Sequence, residues 1–526
     1  MLRAPQLAAD DLGYTYSCGY SSRGEFYDLL FVGNDRLAVG NDNSQYFVAQ
    51  TDRRGNPRWL KRFSGLQSSS YASNSPMRIL PNAGGGVKIV SRVNADVVYG
   101  RDTLASLGDS RHILLADIDT LGNVVQSHII NTEIQELTVA KSATVGDVLL
   151  AGTFTGGFCR VGSETLTSNV SPSYFVARIG GDGQVKWLQK ITPKPEWLSA
   201  LRIHGMVETS RGEVVVATNP MWINARFIGP CPQEPRYVTL NALRGSTGET
   251  LWQQDLLSAT SGLVTDIKEV ANGDLLLTGA YAGELWANNG QTAPAPSLSN
   301  CNFLSGFRVR VSPQGDVLKL VANPVGMIPQ KIEILANGAY ATLDTRRYDR
   351  DPTIDPVAFF SGTVLSIFSP TDQLLSMQGL TETFDNDPIV DMVQHEGNLL
   401  VAGNYRGTLA GTPIVTHNHF TDQFIFMAKF NVASLTTFPE RAPIQRADVL
   451  LFPNPASDVL NVAVRDNFFE ATEVRIYDLA GQMVKVIPEV AGRSQFSIAV
   501  DQLVPGVYLL QIGPKSSKDF FRFIKQ

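Results

Sequence analysis

Seven glycines, Gly33, Gly86, Gly146, Gly212, Gly273, Gly338 and Gly397, recur along this chain at intervals of 53, 60, 66, 61, 65 and 59 residues. Apolar runs follow closely behind them, as in Val87-Lys-Ile-Val, Val148-Leu-Leu-Ala-Gly, Val214-Val-Val-Ala, Leu275-Leu-Leu-Thr-Gly and Leu399-Leu-Val-Ala-Gly. A short apolar run behind a glycine reads as a hairpin turn feeding a buried strand, because glycine adopts positive φ without steric cost. Each repeat then crosses a variable stretch into a second apolar strand, such as Tyr46-Phe-Val-Ala, Ile113-Leu-Leu-Ala, Tyr174-Phe-Val-Ala or Phe424-Ile-Phe-Met-Ala. A second turn follows, centred on Gly55, Gly122, Gly183, Gly248 and Gly315 in the first five repeats, and Trp59, Trp187 and Trp252 each lie four residues past it. Asp372 stands near this turn in the sixth repeat, and Asn431-Val-Ala-Ser in the seventh. With the strand before the first turn, a repeat holds about four strands, the content of one propeller blade. The predicted fold is all-β: a seven-bladed β-propeller over 27–438. A parallel β-helix would turn at far shorter intervals.

The third repeat runs Phe175-Val-Ala-Arg-Ile-Gly-Gly-Asp-Gly-Gln-Val-Lys-Trp. It resembles the stretch "FVAKYDxxGNVxW" of bacterial seven-bladed propeller repeats. That resemblance implies a fold and carries little functional content. Residues 1–26 precede the first complete repeat, and two readings stay open for them. Tyr14, Tyr16 and Tyr20 belong either to a strand that pairs with the last blade or to an unstructured N-terminus. After Phe438, the polar, two-proline stretch 439–447 reads as a linker.

The tail, 448–526, has its own pattern. Pro453 and Pro455 flank Asn454 in a turn that neither a helix nor a central strand tolerates. Alternating runs follow at Val459–Val464, Val474–Leu479, Met483–Ile487, Phe496–Val500, Val507–Ile512 and Phe520–Ile524. Six or seven short strands in about eighty residues predict a small immunoglobulin-like antiparallel sandwich. In order, Pro453, Asn454, Pro455, Gly481, Gly506, Tyr508 and the near-terminal Lys525 make the tail resemble the C-terminal sorting domain of type IX secretion cargo from Bacteroidota. The resemblance implies that the tail is an address, read by the type IX translocon and its cargo-binding components. It further implies a cleaved signal peptide, a cut in or near the linker, and a protein outside a Gram-negative cell or on its outer-membrane surface. Met1–Asp11 contains no apolar core of signal-peptide length, so the sequence reads as a mature or trimmed form.

Composition agrees with that setting. At 526 residues the chain calls for two domains or a repeat architecture, and a net charge of −6 disfavours a nucleic-acid partner. No run of eighteen apolar residues is present to form a transmembrane helix. Cys18, Cys159, Cys231 and Cys301 are widely spaced, contain no CxxC pair, and leave disulfide pairing open.

Catalytic motifs are missing: there is no GxSxG, HExxH or P-loop, and no catalytic residue is assigned. His417 and His419 offer half a metal site, with a solvated loop the plainer reading. Asp349, Asp351 and Asp355, with Asp344 upstream, form an oxygen-rich stretch suited to Ca²⁺. Arg346, Arg347 and Arg350 would neutralise it as an ordinary surface loop. Asp385 and Asp387 would serve glycoside chemistry only at the correct carboxylate separation. Trp197, Trp222 and Trp286 fall in the variable stretches, where they either stack on sugars or pack between blades. The expected function is a secreted or cell-surface binding or adhesion protein whose propeller loops hold a glycan or a protein. The alternatives are a structural component of a surface assembly and a secreted polysaccharide-degrading enzyme.

Overall fold

In the computed structural model the chain forms two compact units, Met1–Phe438 and Pro439–Gln526. The structure describes residues 2–21, 29–32, 35–38, 45–66, 77–100, 102–105, 112–132, 134, 136–154, 157–169, 173–191, 201–220, 236–293, 305–325, 327–346, 361–383, 390–405, 408–409, 424–432, 449–464, 473–478, 483–487, 495–513 and 520–526.

The first unit is a seven-bladed β-propeller. Its inner strands are Leu2–Ala9, Met77–Pro81, Glu136–Lys141, Leu201–Glu208, the second half of Thr250–Glu269, Met327–Ile334 and Val390–His395. Each touches the next in that order, and the last touches the first. Strands pair antiparallel outward from each inner strand, as in the third blade: Glu136–Lys141, Val148–Phe154, Ser173–Ile179 and Val185–Ile191. One long strand, Thr250–Glu269, serves two blades: its first half pairs with Arg236–Arg244 and its second with Leu275–Ala287.

The ring begins earlier than the repeat anchored on Gly33 predicts. Leu2–Ala9 and Thr15–Ser21 are the two inner strands of the first blade, so residues 2–21 are part of the propeller. The turn glycine of this blade is Gly13, at φ +85°, which stands 73 residues before Gly86. A hairpin, Leu29–Val32 with Asp35–Ala38, is inserted before the third strand. Its apolar run beside Gly33 imitates the repeat, and Gly33 itself lies outside the described residues.

The second glycine of each repeat has a packing role as well as a backbone one. A Cβ on Gly248 (φ +75°) would stand 2.6 Å from Trp187 of the preceding blade, and one on Gly122 would stand 2.9 Å from Trp59. Trp252 faces Gly315 in the same way at 2.9 Å, and His128 faces Gly183 at 2.7 Å. The indole N–H of Trp187 donates to Gly245 O at 2.8 Å, and that of Trp59 to Thr120 O at 3.2 Å. The recurring tryptophan therefore bolts one blade to the outer turn of the next. Between the fifth and sixth blades the same positions carry an ion pair, Lys319 with Asp372 at 3.1 Å. Asp372 takes the glycine's place at φ +70°, a conformation that Asp tolerates better than most residues. Burial opposes its ionisation, but Lys319, Arg310 and Tyr340 outweigh that and hold the carboxyl below its usual range.

The second unit is a sandwich of two antiparallel sheets. One contains Val449–Phe452, Val459–Val464 and Gln495–Ala499. The other is ordered Met483–Ile487, Glu473–Tyr477, Gly506–Gly513 and Phe520–Lys525. Leu460, Val462, Val474, Ile476, Ile498, Leu510 and Phe523 fill the space between them.

Candidate functional site

An inner propeller strand has one side chain-free edge facing the channel, and its backbone groups need partners. Acidic side chains of neighbouring blades supply them. Asp391 accepts from Leu7 N at 2.9 Å, Asp266 from Ile332 N at 3.0 Å, and Glu333 from Gln394 N at 3.1 Å. Basic side chains balance the same acids: Lys331 lies 3.6 Å from Asp391, and Lys268 lies 3.4 Å from Glu333. Burial lowers the pKa of Arg78, while the nearby Asp391 and Asp266 favour its charge. The Glu333 carboxylate raises the pKa of Lys268 against the effect of burial, so the ammonium keeps its charge. These carboxylates join blade to blade and present no unengaged acid–base couple. Among the described residues no group of three metal-ligating side chains comes together.

Asp344 is a different case. It sits in the strand Tyr340–Arg346, 1% exposed, rather than in a loop with the acids that follow it. Thr342 Oγ1 and Ser366 Oγ donate to its Oδ2 at 3.1 and 2.6 Å, and its Oδ1 has no hydrogen-bond partner. Burial pushes its pKa up to about 6. A carboxyl whose folded pKa exceeds the unfolded value of about 3.9 favours folding only while protonated. Its contribution is thus lost as pH rises from about 4 through about 6, on the order of 3 kcal/mol. Asp344→Asn should melt above the wild type at pH 7.5 and level with it at pH 4. An equal offset at both values would assign the effect to packing instead.

Antiparallel pairing fixes where the variable stretches leave the ring. The turns at Gly13 and Gly55 lie on one face, so the connections between second and third strands, and between blades, leave from the other. Trp197, Trp222, Asp349, Asp351, Asp355, Asp385, Asp387, His417 and His419 all fall in those connections and outside the described residues. Trp286 is described. It lies on the hairpin Leu285–Ala293, 50% exposed, while Leu285 beside it is buried. The corresponding hairpin of the third blade, Phe158–Val161 with Glu164–Thr167, presents Phe158 at 47% exposure over buried Cys159. Sequence reasoning missed Phe158; the signal available was its place in a short alternating run next to Gly157 and Gly162. Cys18 is buried too, and burial raises its thiol pKa to about 12, far from reactive. Cys231 and Cys301 lie outside the described residues.

In the second unit the Pro453-Asn454-Pro455 turn clasps the end of the chain. Asn454 Oδ1 accepts from Ile524 N at 2.9 Å, and Ala456 N donates to Ile524 O at 2.8 Å. Gln526 N returns to Ala456 O at 2.9 Å. Tyr508 stacks on Phe523 with ring centroids 5.6 Å apart, and its hydroxyl donates to Val504 O at 2.7 Å. Lys525 is buried and donates to Gln526 O. Residues 450–526 match the family described as secretion system C-terminal sorting domain. This tail is a type IX sorting domain. Gly481 of the sorting domain lies outside the described residues. Gly506 has ordinary φ and no atom closer than 3.8 Å to its Cβ position, so local sterics do not demand a glycine there.

The sorting domain marks the chain as exported to the cell surface or beyond, which entails contact with the secretion machinery. Among the described residues no helix is long and apolar enough to cross a membrane. No curated protein matches the chain. Among solved structures it is similar to a puromycin-hydrolyzing peptidase of Mycobacterium tuberculosis at 10% identity, covering 88% of this chain and 57% of that one, with TM-score 0.43. It is also similar to a leech intramolecular trans-sialidase at 8% identity, covering 83% and 69%, with TM-score 0.37. The phage phi92 endosialidase is similar at 8% identity, covering 99% and 84%, with TM-score 0.36. At such scores the ring rests on its own strand order and contacts.

Proposed function

We propose that the propeller is a binding module, carried by the sorting domain to the outer surface of a Gram-negative cell or released from it. Its ligand, a glycan or a surface protein, sits on the face from which the long connections leave. The observation that carries this reading is the pair of exposed aromatics, Trp286 and Phe158, on equivalent hairpins of that face. A half-exposed aromatic ring over a buried neighbour offers a flat apolar surface, suited to a sugar ring or a protein side chain. The engagement of Asp266, Glu333 and Asp391 in joining blades supports binding over acid–base catalysis.

A glycan array with the full-length protein, run with and without Ca²⁺, tests the proposal. Specific binding that drops at least about tenfold in Trp286→Ala or Phe158→Ala is expected, about 1.4 kcal/mol for each lost stacking contact. Dependence on Ca²⁺ would bring in Asp349, Asp351 and Asp355. Binding that ignores both aromatics would place the ligand elsewhere, and no binding to any glycan would leave protein partners as the ligand class.

A further inference from the structure

A buried cation and a buried acid share the joint between the fifth and sixth blades without meeting. Arg308 lies in the fifth blade's third strand, Ser305–Val311, and is 7% exposed. Its guanidinium lies over the Phe368 ring at 3.7 Å, and its Nε and Nη1 donate to Asn323 Oδ1 at 3.1 Å and Tyr340 Oη at 3.0 Å. All three partners are neutral, and among the described residues no carboxylate pairs with Arg308; Asp372 pairs with Arg310 and Lys319 instead. Asp344, in the sixth blade, is buried with its Oδ1 unpartnered. Tyr340, Thr342 and Asp344 alternate onto one face of their strand, and Tyr340 packs there against Val270 and Leu276 of the fifth blade. Acid and cation therefore stand on the two facing surfaces of one joint.

Gly306 shows that the two are within reach. Its Cβ position lies 2.4 Å from Pro329 Cδ, and Pro329 pairs with Asp344, so Gly306 abuts the sixth blade at the height of Asp344. Arg308 is two residues further along the same strand, about 7 Å at the rise of an extended chain. An arginine side chain covers that span by changing rotamer. The other charged groups around the strand of Asp344 are already held. Tyr340 donates to Asp372, which also holds Arg310 and Lys319. Lys331 and Glu333, on the strand to one side, pair with Asp391 and Lys268. Ser361–Phe368, on the other side, carries no ionisable side chain. Burial opposes ionisation of Asp344, while its two hydroxyl donors and the charge of Arg308 favour it.

We propose that Arg308 is a two-position latch in this joint. With Asp344 protonated it stays on Phe368 and Tyr340, the position the structure shows. When Asp344 gives up its proton, the guanidinium swings onto Oδ1. The driving force is the cost of leaving a buried carboxylate oxygen unpaired, which exceeds that of giving up contacts with neutral groups. The swing exchanges the fifth blade's grip on Tyr340 for one on Asp344, so the joint changes its contacts with pH while the strands of both blades keep their pairing. The latch is independent of which ligand the propeller holds.

Emission from Phe368→Trp in the full-length protein tests it, because the guanidinium lies against that ring. The added emission should change in a single titration with its midpoint at or below about pH 6, since the swing itself favours ionisation. The transition should disappear when Asp344→Asn or Arg308→Met is added to Phe368→Trp. Thermal melts give a second readout. At about pH 7.5, Arg308→Met should lower the midpoint more in the wild type than in Asp344→Asn, and at about pH 4 by the same amount in both. Arg308→Gln serves where Arg308→Met does not fold. Added emission that is flat with pH, or a transition that survives Asp344→Asn, would overturn the latch. So would a coupling between the two positions that is equal at both pH values, which is the mark of a packing contact.

Discussion

Trp187→Ala is expected to destabilise the propeller by about 3–5 kcal/mol, the range for deleting a buried tryptophan from a packed site. Trp187 is 7% exposed, and its neighbours Leu149, Val214, Val216 and Leu243 come from two blades. Its removal therefore opens the joint between the third and fourth blades, not the interior of one sheet. The indole N–H to Gly245 O is lost with it, leaving a carbonyl of the next blade's turn without that donor. Gly248→Ala attacks the same joint from the opposite side. The alanine must hold φ near +75°, which costs about 1–2 kcal/mol, and its methyl meets the indole at 2.6 Å. We expect a loss of about 2 kcal/mol or more, and a double variant less unstable than the sum of the two. Denaturant melts of the four proteins check this. Strict additivity would show that glycine and tryptophan are not one contact.

The ring was legible because its turns are chemically constrained. Gly86, Gly146, Gly212, Gly273, Gly338 and Gly397 all hold positive φ, so the hairpins had to reappear as glycines at regular distance. The first blade broke the rule through the Leu29–Ala38 hairpin, which offered a false anchor, while Gly13 stood in a run too polar to suggest a strand turn. Asp372 kept the sixth turn without glycine, and there the structure has the same positive-φ backbone with an ion pair in place of the stack. The sandwich strands of the tail were equally readable, since Leu460 and Val462 alternate with exposed or half-buried neighbours.

The roles of the acids were not legible. Asp266, Glu333 and Asp391 are far apart in sequence, and only ring geometry brings each to a neighbouring blade's N–H. Asp344 looked like the leading member of an acidic loop, and it proved to be a buried strand residue because antiparallel pairing on both sides extends through it. The two exposed aromatics needed the structure as well, since exposure of one face of a short hairpin cannot be read from Trp286 or Phe158 alone.

Loss of the sorting domain should have the largest effect in the cell. Its fold depends on the clasp between Asn454, Ala456 and the terminal strand, so truncation at either end of this unit removes the same hydrogen bonds. Removing residues 450–526 leaves every described propeller strand in place, and the two units have separate hydrophobic cores. The expectation is a folded propeller that stays inside the outer membrane.

The decisive measurement compares full-length protein with a chain lacking residues 450–526, each behind the same signal peptide in a type IX-competent bacterium. Protease accessibility on intact cells and antibody detection in the medium report the location, and periplasmic extracts report the total. The account predicts surface or medium signal for the full chain and only periplasmic, protease-resistant propeller for the truncated one. Undiminished appearance of the truncated propeller outside the cell would contradict the division into address and cargo.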